Sequence, residues 1–301
     1  MLAELDENDI SGRMTKKLWM LIGFLSGCAL LTSMYRAAFI GTLQGTYPAD
    51  GQTINQLRNT ANTEIHTLNN IPVQRGTGTY KLKTPNGVNK GTPSWSQYGQ
   101  DIFVDKLFNR KHDGFFVEIG GFDGETYSNS LFFEKEREWS GLLVEANPYS
   151  YGLMVEKDRN CFMVNACISN TISSMTFIIG GPLTSVKDIT SNRHRQRIDS
   201  KAVLRATDER WGHSKENIVV KCYPLMALMN TLGQTKIDYF SLDVEGAEMI
   251  ILHSIDWDKL DIDVFTIETE QHREDILTFM KSRGYKWIQT ILGDDVFKKI
   301  K

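Results

Sequence analysis

Apolar positions fall into three regimes along the chain. Residues 18–35 are mostly apolar and carry no charge, a length that suits a helix crossing a hydrocarbon core at 1.5 Å per residue. Residues 36–92 show no sustained apolar period and are rich in Thr, Asn, Gly and Gln, with prolines at 48, 72 and 85, which reads as a stalk. From about residue 93, short apolar runs alternate with helical spacing. Phe103 with Leu107 and Val104 with Phe108 predict a helix over 96–108, followed by a buried strand at 115–119 and a helix over 128–138. Strands follow at 141–145, 162–167, 175–179, 237–243, 264–268, 285–291 and 295–300. Helices are expected from Pro148 with Asn147 as cap, at 224–230 behind Pro224, and over 273–283 before Gly284. Strands alternating with helices predict a mainly parallel sheet covered on both faces.

The flanks of the apolar segment orient it. Lys16 and Lys17 precede it and only Arg36 follows, so residues 1–17 are expected in the cytoplasm and the bulk of the chain in the lumen or outside. The apolar run continues past the small residues at 26–29, which favours an uncleaved anchor over a cleaved signal peptide. The expected organisation is therefore a tail at 1–17, a single-pass anchor at 18–35, a stalk at 36–92 and one folded domain at 93–301, in a type II protein of the endomembrane system.

Charge and cysteines narrow this little further. A net charge of −3 gives no footprint for nucleic acid. Four cysteines are too few and too irregular for a disulfide framework. Cys161 and Cys167 lie at opposite ends of one expected strand and cannot bridge each other there. Buried free thiols are expected, a bridge from Cys222 to either being the alternative.

The chemistry gathers at a glycine turn. The run FVEIGGFDG at 116–124 passes from strand to turn ahead of a helix, with Gly120, Gly121 and Gly124 able to bring backbone close to a ligand. A dinucleotide fingerprint is absent, and Glu118 and Asp123 would repel a pyrophosphate. They suit S-adenosylmethionine, which carries an ammonium and a sulfonium. Unit charges about 4 Å apart at an effective dielectric near 20 interact by roughly 4 kcal/mol, enough to separate the two ligands. Glu145 ends the next strand 21 positions past Gly124, the usual place for an acid that takes ribose hydroxyls. Asn165 and Ala166, near the end of the third strand, could read an adenine edge.

Further along, Asp243, Glu245 and Glu248 crowd one strand end, and Glu268 ends the next strand. Like charges so close cost stability, which favours a functional site; Glu248 alone could serve the dipole of the following helix. Asp243 is the first choice for orienting or deprotonating an acceptor, with Glu245 and the loop residue His272 behind it. No metal-ligand set is read. The basic run of Arg193, His194, Arg195, Arg197, Lys201 and Arg205 is expected to be solvated surface, the alternatives being a lid over an acidic substrate or glycan and a protein-docking face.

Taken together, FVEIGGFDG (116–124), LLVEANP (142–148) and IDYFSLDVEGAE (237–248) resemble the FkbM-type S-adenosylmethionine-dependent methyltransferases from about Trp95 to the C-terminus. Within that family SWSQYGQD (94–101), SLFFEK (130–135) and the anchor are similar to the membrane-anchored animal branch that contains Star. The resemblance implies a Rossmann-like class I methyltransferase fold, an α/β domain with a mainly parallel seven-stranded sheet and an antiparallel final strand. It implies that Glu118, Gly120, Gly121, Asp123 and Gly124 hold the methionine end of S-adenosylmethionine, Glu145 its ribose, and that Asp243 lies beside the methyl group. The implied activity is O-methyl transfer to a small-molecule, glycan, lipid or protein acceptor in the secretory pathway. The Star-like branch implies instead a trafficking factor for membrane-tethered growth-factor cargo leaving the endoplasmic reticulum. Departures from the family pattern are Glu118, where many relatives have Asp, and Phe122, at a position often small or polar.

Overall fold

The computed structural model describes residues 71–200, 210 and 216–300, apart from 84, 86 and 90. The expected anchor at 18–35 and the tail before it lie outside these residues, as do Lys201 and Arg205. Among the described residues no helix is long and apolar enough to cross a membrane.

In chain order the elements are β1 (Gln74–Arg75), β2 (Gly87–Asn89), β3 (Thr92–Ser94), α1 (Gln100–Leu107), β4 (Phe115–Ile119), α2 (Leu131–Arg137), β5 (Ser140–Glu145), α3 (Pro148–Glu156) and β6 (Phe162–Asn165). There follow β7 (Cys167–Ile168), β8 (Ser174–Ile178), β9 (Ser185–Val186), α4 (Asn192–Asp199), β10 (Asn217–Tyr223), α5 (Leu225–Thr231) and β11 (Lys236–Leu242). The chain closes with α6 (Glu248–Ser254), β12 (Asp261–Glu268), α7 (Arg273–Ser282), β13 (Tyr285–Ile291) and β14 (Asp294–Lys299).

The principal sheet runs β1-β6-β5-β4-β11-β12-β14-β13. Its centre, from β6 to β12, is parallel, and antiparallel pairs close it at both ends. The sheet is therefore mixed and has eight strands where seven were expected. The added strand is β1, whose two residues are too short to show a period. Helices cover both faces, and alternate residues divide between two cores. On β4, Phe115, Val117 and Ile119 join one cluster with α5, α6 and α7, while Phe116 joins the other with Phe132 and Phe133 of α2 and Met154 of α3. Such two-sided burial is why these strands read as continuous apolar runs.

Two expectations about the periphery change. The end of the supposed stalk packs on the domain: Ile71 and Val73 are buried, β1 pairs with β6, and Asp158 accepts hydrogen bonds from Thr77 and Thr79. The strand expected at 162–167 divides at Ala166, after which β7 enters a separate sheet of order β7-β10-β8-β9. In that sheet Cys167 lies directly opposite Cys222 on the parallel strand, and the two form a disulfide. Among the described residues the expectation of free thiols thus holds for Cys161 alone, whose pKa burial pushes well up. The bridge escaped sequence reading because nothing local signals that the chain changes sheet after Ala166. The first helix starts at Gln100 instead of 96, because the buried Asp101 carboxylate binds the backbone of Trp95 and Ser96 and the hydroxyls of Ser94 and Ser96, folding that segment back.

Candidate active site

One cavity opens at the carboxyl ends of the parallel strands, where loops leave β4, β5, β11 and β12. Glu118, Gly120, Gly121, Glu145, Ala166, Asp243 and Glu245 all line it, so the acids read from separate motifs do converge. The small sheet and the turn before α4 supply the opposite wall, through Cys167, Phe177 and Leu183 among others.

Gly120 makes the first turn possible. Its φ is +86°, and a Cβ there would overlap the carbonyl oxygen of Asp243, so β4 and β11 can leave the sheet side by side only with glycine at this point. Glu118, at the end of β4, accepts hydrogen bonds from the backbone of Asn129 and the hydroxyls of Ser128 and Ser130. It thereby fixes the entry to α2. Behind it Arg159, fully buried, pairs with Glu134 and donates to Gly124 O, Ser128 Oγ and Ser130 Oγ. This framework positions the cavity-lining Asn129, whose Nδ2 donates to Ser241 Oγ at 2.9 Å while its buried Oδ1 has no partner among the described residues. Asn129 escaped sequence reading; a polar Ser-Asn-Ser run before an apolar helix was its only signal.

Glu145 accepts from Phe122 N at 2.8 Å through one oxygen and from Asn147 N at 2.7 Å through the other. Burial pushes its pKa up to about 7, against the pull of those backbone donors. Asn147 also caps α3, accepting from Tyr149 N as the sequence implied.

Asp123, Gly124 and Asn165 do not line the cavity. Asp123 closes the turn, accepting from the backbone of Glu125 and Thr126 and from Thr126 Oγ1. Asn165 donates to the carbonyls of Glu145 and Ala146, holding the chain after β5 instead of facing a ligand. His272 is exposed at the start of α7, away from the cavity lining. A buried histidine from the basic run stands in the neighbourhood instead, His194, with Nδ1 3.4 Å from Glu245 Oε2. Its residues Arg193, His194, Arg195 and Arg197 fall in α4, which is capped by Ser191 and only partly solvated. Its Arg197 lines the cavity, 3.9 Å from Glu245.

The acids at the ends of β11 and β12 perturb one another. Asp243 faces the open cleft yet is ringed by protein, and its pKa is raised by that burial, then by Glu245. Glu245 is pushed up to about 7 and Glu268 to about 11, chiefly by burial and, for Glu268, by Asp243. Asp243 and Glu268 hydrogen-bond one another. Glu248 accepts from Val244 N and Gly246 N, so it serves the turn into α6 and is not part of the cavity lining.

This sheet order and this cavity define a methyltransferase-like α/β fold. The model of the methyltransferase FkbM domain matches residues 118–287, and the chain belongs to that family. The match is to the family and not to a branch within it. Comparison with curated proteins gave no match. Among solved structures, the precorrin-6y C5,15-methyltransferase of Geobacter metallireducens is similar at 11% identity, covering 66% of this chain and 87% of that one, with a TM-score of 0.35. TrmK of M. capricolum, in complex with S-adenosyl-homocysteine, is similar at 10% identity over 66% of this chain and 68% of that one, TM-score 0.35. TYW2 of M. jannaschii, in complex with AdoMet, is similar at 13% identity over 75% and 90%, TM-score 0.32. Scores this low carry no argument about substrate or chemistry.

Proposed function

We propose that the domain binds S-adenosylmethionine in this cavity and transfers its methyl group to a hydroxyl acceptor. The observation that carries the reading is that Glu118, Glu145 and Asp243, from three strands, line one cavity with the unpartnered Asn129 Oδ1 among them. The residues fit such a ligand in shape and in donor chemistry. The glycine turn leaves room for close approach at Gly120, and Asn129 Oδ1 offers an acceptor for the methionine ammonium. Each Glu145 oxygen keeps a second lone pair beyond its backbone amide, enough to take two adjacent ribose hydroxyls. Val144, Ala166 and Ile168 give the cavity an apolar side for adenine.

When bound, the cofactor supplies a methyl group activated on positive sulfur, which the acceptor oxygen takes as the carbon–sulfur bond breaks. The chain holds and orients the partners, and it removes the acceptor's proton. Asp243, hydrogen-bonded to Glu268 and lining the cavity, is the residue assigned to receive that proton. Residence in an oxidising compartment, on the lumenal side of the expected anchor, is supported by the Cys167–Cys222 disulfide.

Calorimetry of the purified protein with S-adenosylmethionine tests the reading. Micromolar binding is expected. Glu145→Ala loses two charge-assisted hydrogen bonds at about 1.5 kcal/mol each, a weakening of roughly 100-fold. Undiminished binding by that variant discards the ribose assignment, and no binding by the wild type discards the cofactor.

A further inference from the structure

β11 and β12 are parallel neighbours with Leu242 opposite Ile267, so the next residues, Asp243 and Glu268, leave the sheet side by side. Glu245, at φ +55°, turns the chain back, and one oxygen from each of the three carboxylates comes within 4.8 Å of the others. Glu248, Asp294 and Glu270 add negative charge around them. Among the described residues Arg197 is a facing cation, half-exposed and shared with Glu270 at 3.7 Å.

An independent observation comes from α4. His194 is 2% exposed, and its Nε2 lies 3.0 Å from Leu183 O. A carbonyl only accepts, so Nε2 carries the hydrogen and Nδ1 of the neutral ring presents a lone pair. Nδ1 has no hydrogen-bond partner, and neither has the Glu245 Oε2 that it faces at 3.4 Å. Two buried lone pairs held face to face repel unless a positive species sits with them.

We propose that Asp243, Glu245 and Glu268 bind a divalent metal ion, with His194 Nδ1 bringing a nitrogen donor alongside Glu245. Three carboxylates suit a hard divalent ion, and a nitrogen donor beside one of them favours manganese over calcium. The site adjoins the position assigned above to the transferred methyl group. An acceptor with two adjacent oxygens, such as a vicinal diol, would chelate the ion and present one oxygen for methylation. That acceptor class rests on the cofactor reading, whereas the metal site itself does not.

Titration of Mn2+ alone into the purified protein, followed by electron paramagnetic resonance, tests the site. One ion should bind at micromolar concentration with the signal of a protein-bound species. Glu268→Gln, an isostere of the protonated acid, should weaken it at least tenfold, and His194→Ala should also weaken it. S-adenosylhomocysteine, whose sulfur is neutral, serves as the separate probe of folding and of the cofactor cavity. Should Glu268→Gln fail to bind it, Glu245→Gln replaces that variant. Absent Mn2+ binding, or binding unchanged in both glutamine variants, overturns the metal site even where S-adenosylhomocysteine binds. Mn2+ binding without S-adenosylhomocysteine binding supports the metal site and removes the cofactor reading.

Discussion

Each oxygen of Glu145 already holds a backbone amide, and burial brings its pKa to about 7. Only the ionised form has lone pairs free for both ribose hydroxyls, so cofactor affinity should fall as pH drops below 7, by up to about tenfold per unit. Calorimetry between pH 6 and pH 8.5 measures this; a flat profile removes Glu145 from the binding step. The same group shapes the stability of the ligand-free protein with the opposite sign. Between the ordinary carboxylate value and pH 7 the folded chain keeps a proton that the unfolded chain has released. Its contribution to unfolding free energy therefore declines as pH rises through that window and is level above it. Glu145→Gln cannot ionise and should lose this part of the slope in urea titrations at pH 4.5, 6 and 8.

Among the elements, those buried on both faces were the most legible. The strand at 115–119 stands where the apolar run placed it, and Asn147 with Pro148 opens α3 as their chemistry requires. The small sheet was not legible as a unit. β10 alternates exposed residues with buried and half-buried ones and pairs with residues 39 to 55 positions earlier, a relation no local pattern records. α4 misled for another reason: its arginines dominate the composition, while the one histidine that matters points inward. The Cys167–Cys222 bridge ties this small sheet to the chain leaving Ala166 across a separation of 55 residues. Removing it with Cys222→Ser should cost about 2–4 kcal/mol. Chemical denaturation of the variant beside the oxidised wild type measures that loss; equal midpoints would show that the small sheet needs no staple.

For the molecule as a whole, the sequence disclosed which acids belong together but not how. The convergence of Glu145 and Asp243 on one cavity could be foreseen because each ends a buried strand ahead of a turn, and parallel strands deliver their carboxyl ends to one side. Asp123 and Asn165 looked equally apt by position, yet backbone donors and acceptors nearby captured their side chains. Which partner a polar group finds at that range is settled by turn geometry, which residue spacing does not encode. Glu268 was visible only as the end of a strand, since its place beside Asp243 follows from strand register.

Arg159 has a consequence for motion. Its guanidinium joins the glycine turn at Gly124, the Ser128–Ser130 entry to α2 and Glu134 within α2, all out of reach of water. Opening that turn alone would strand a charge in the interior, so the turn should come apart only when the sheet does. Deuterium uptake by the amides of 120–130 should then be nearly as slow as in β4 and β11, and a faster turn would show that the guanidinium does not couple them. A ligand entering this cavity would meet a floor already set, and any adjustment on binding would fall to α4 and the small sheet opposite.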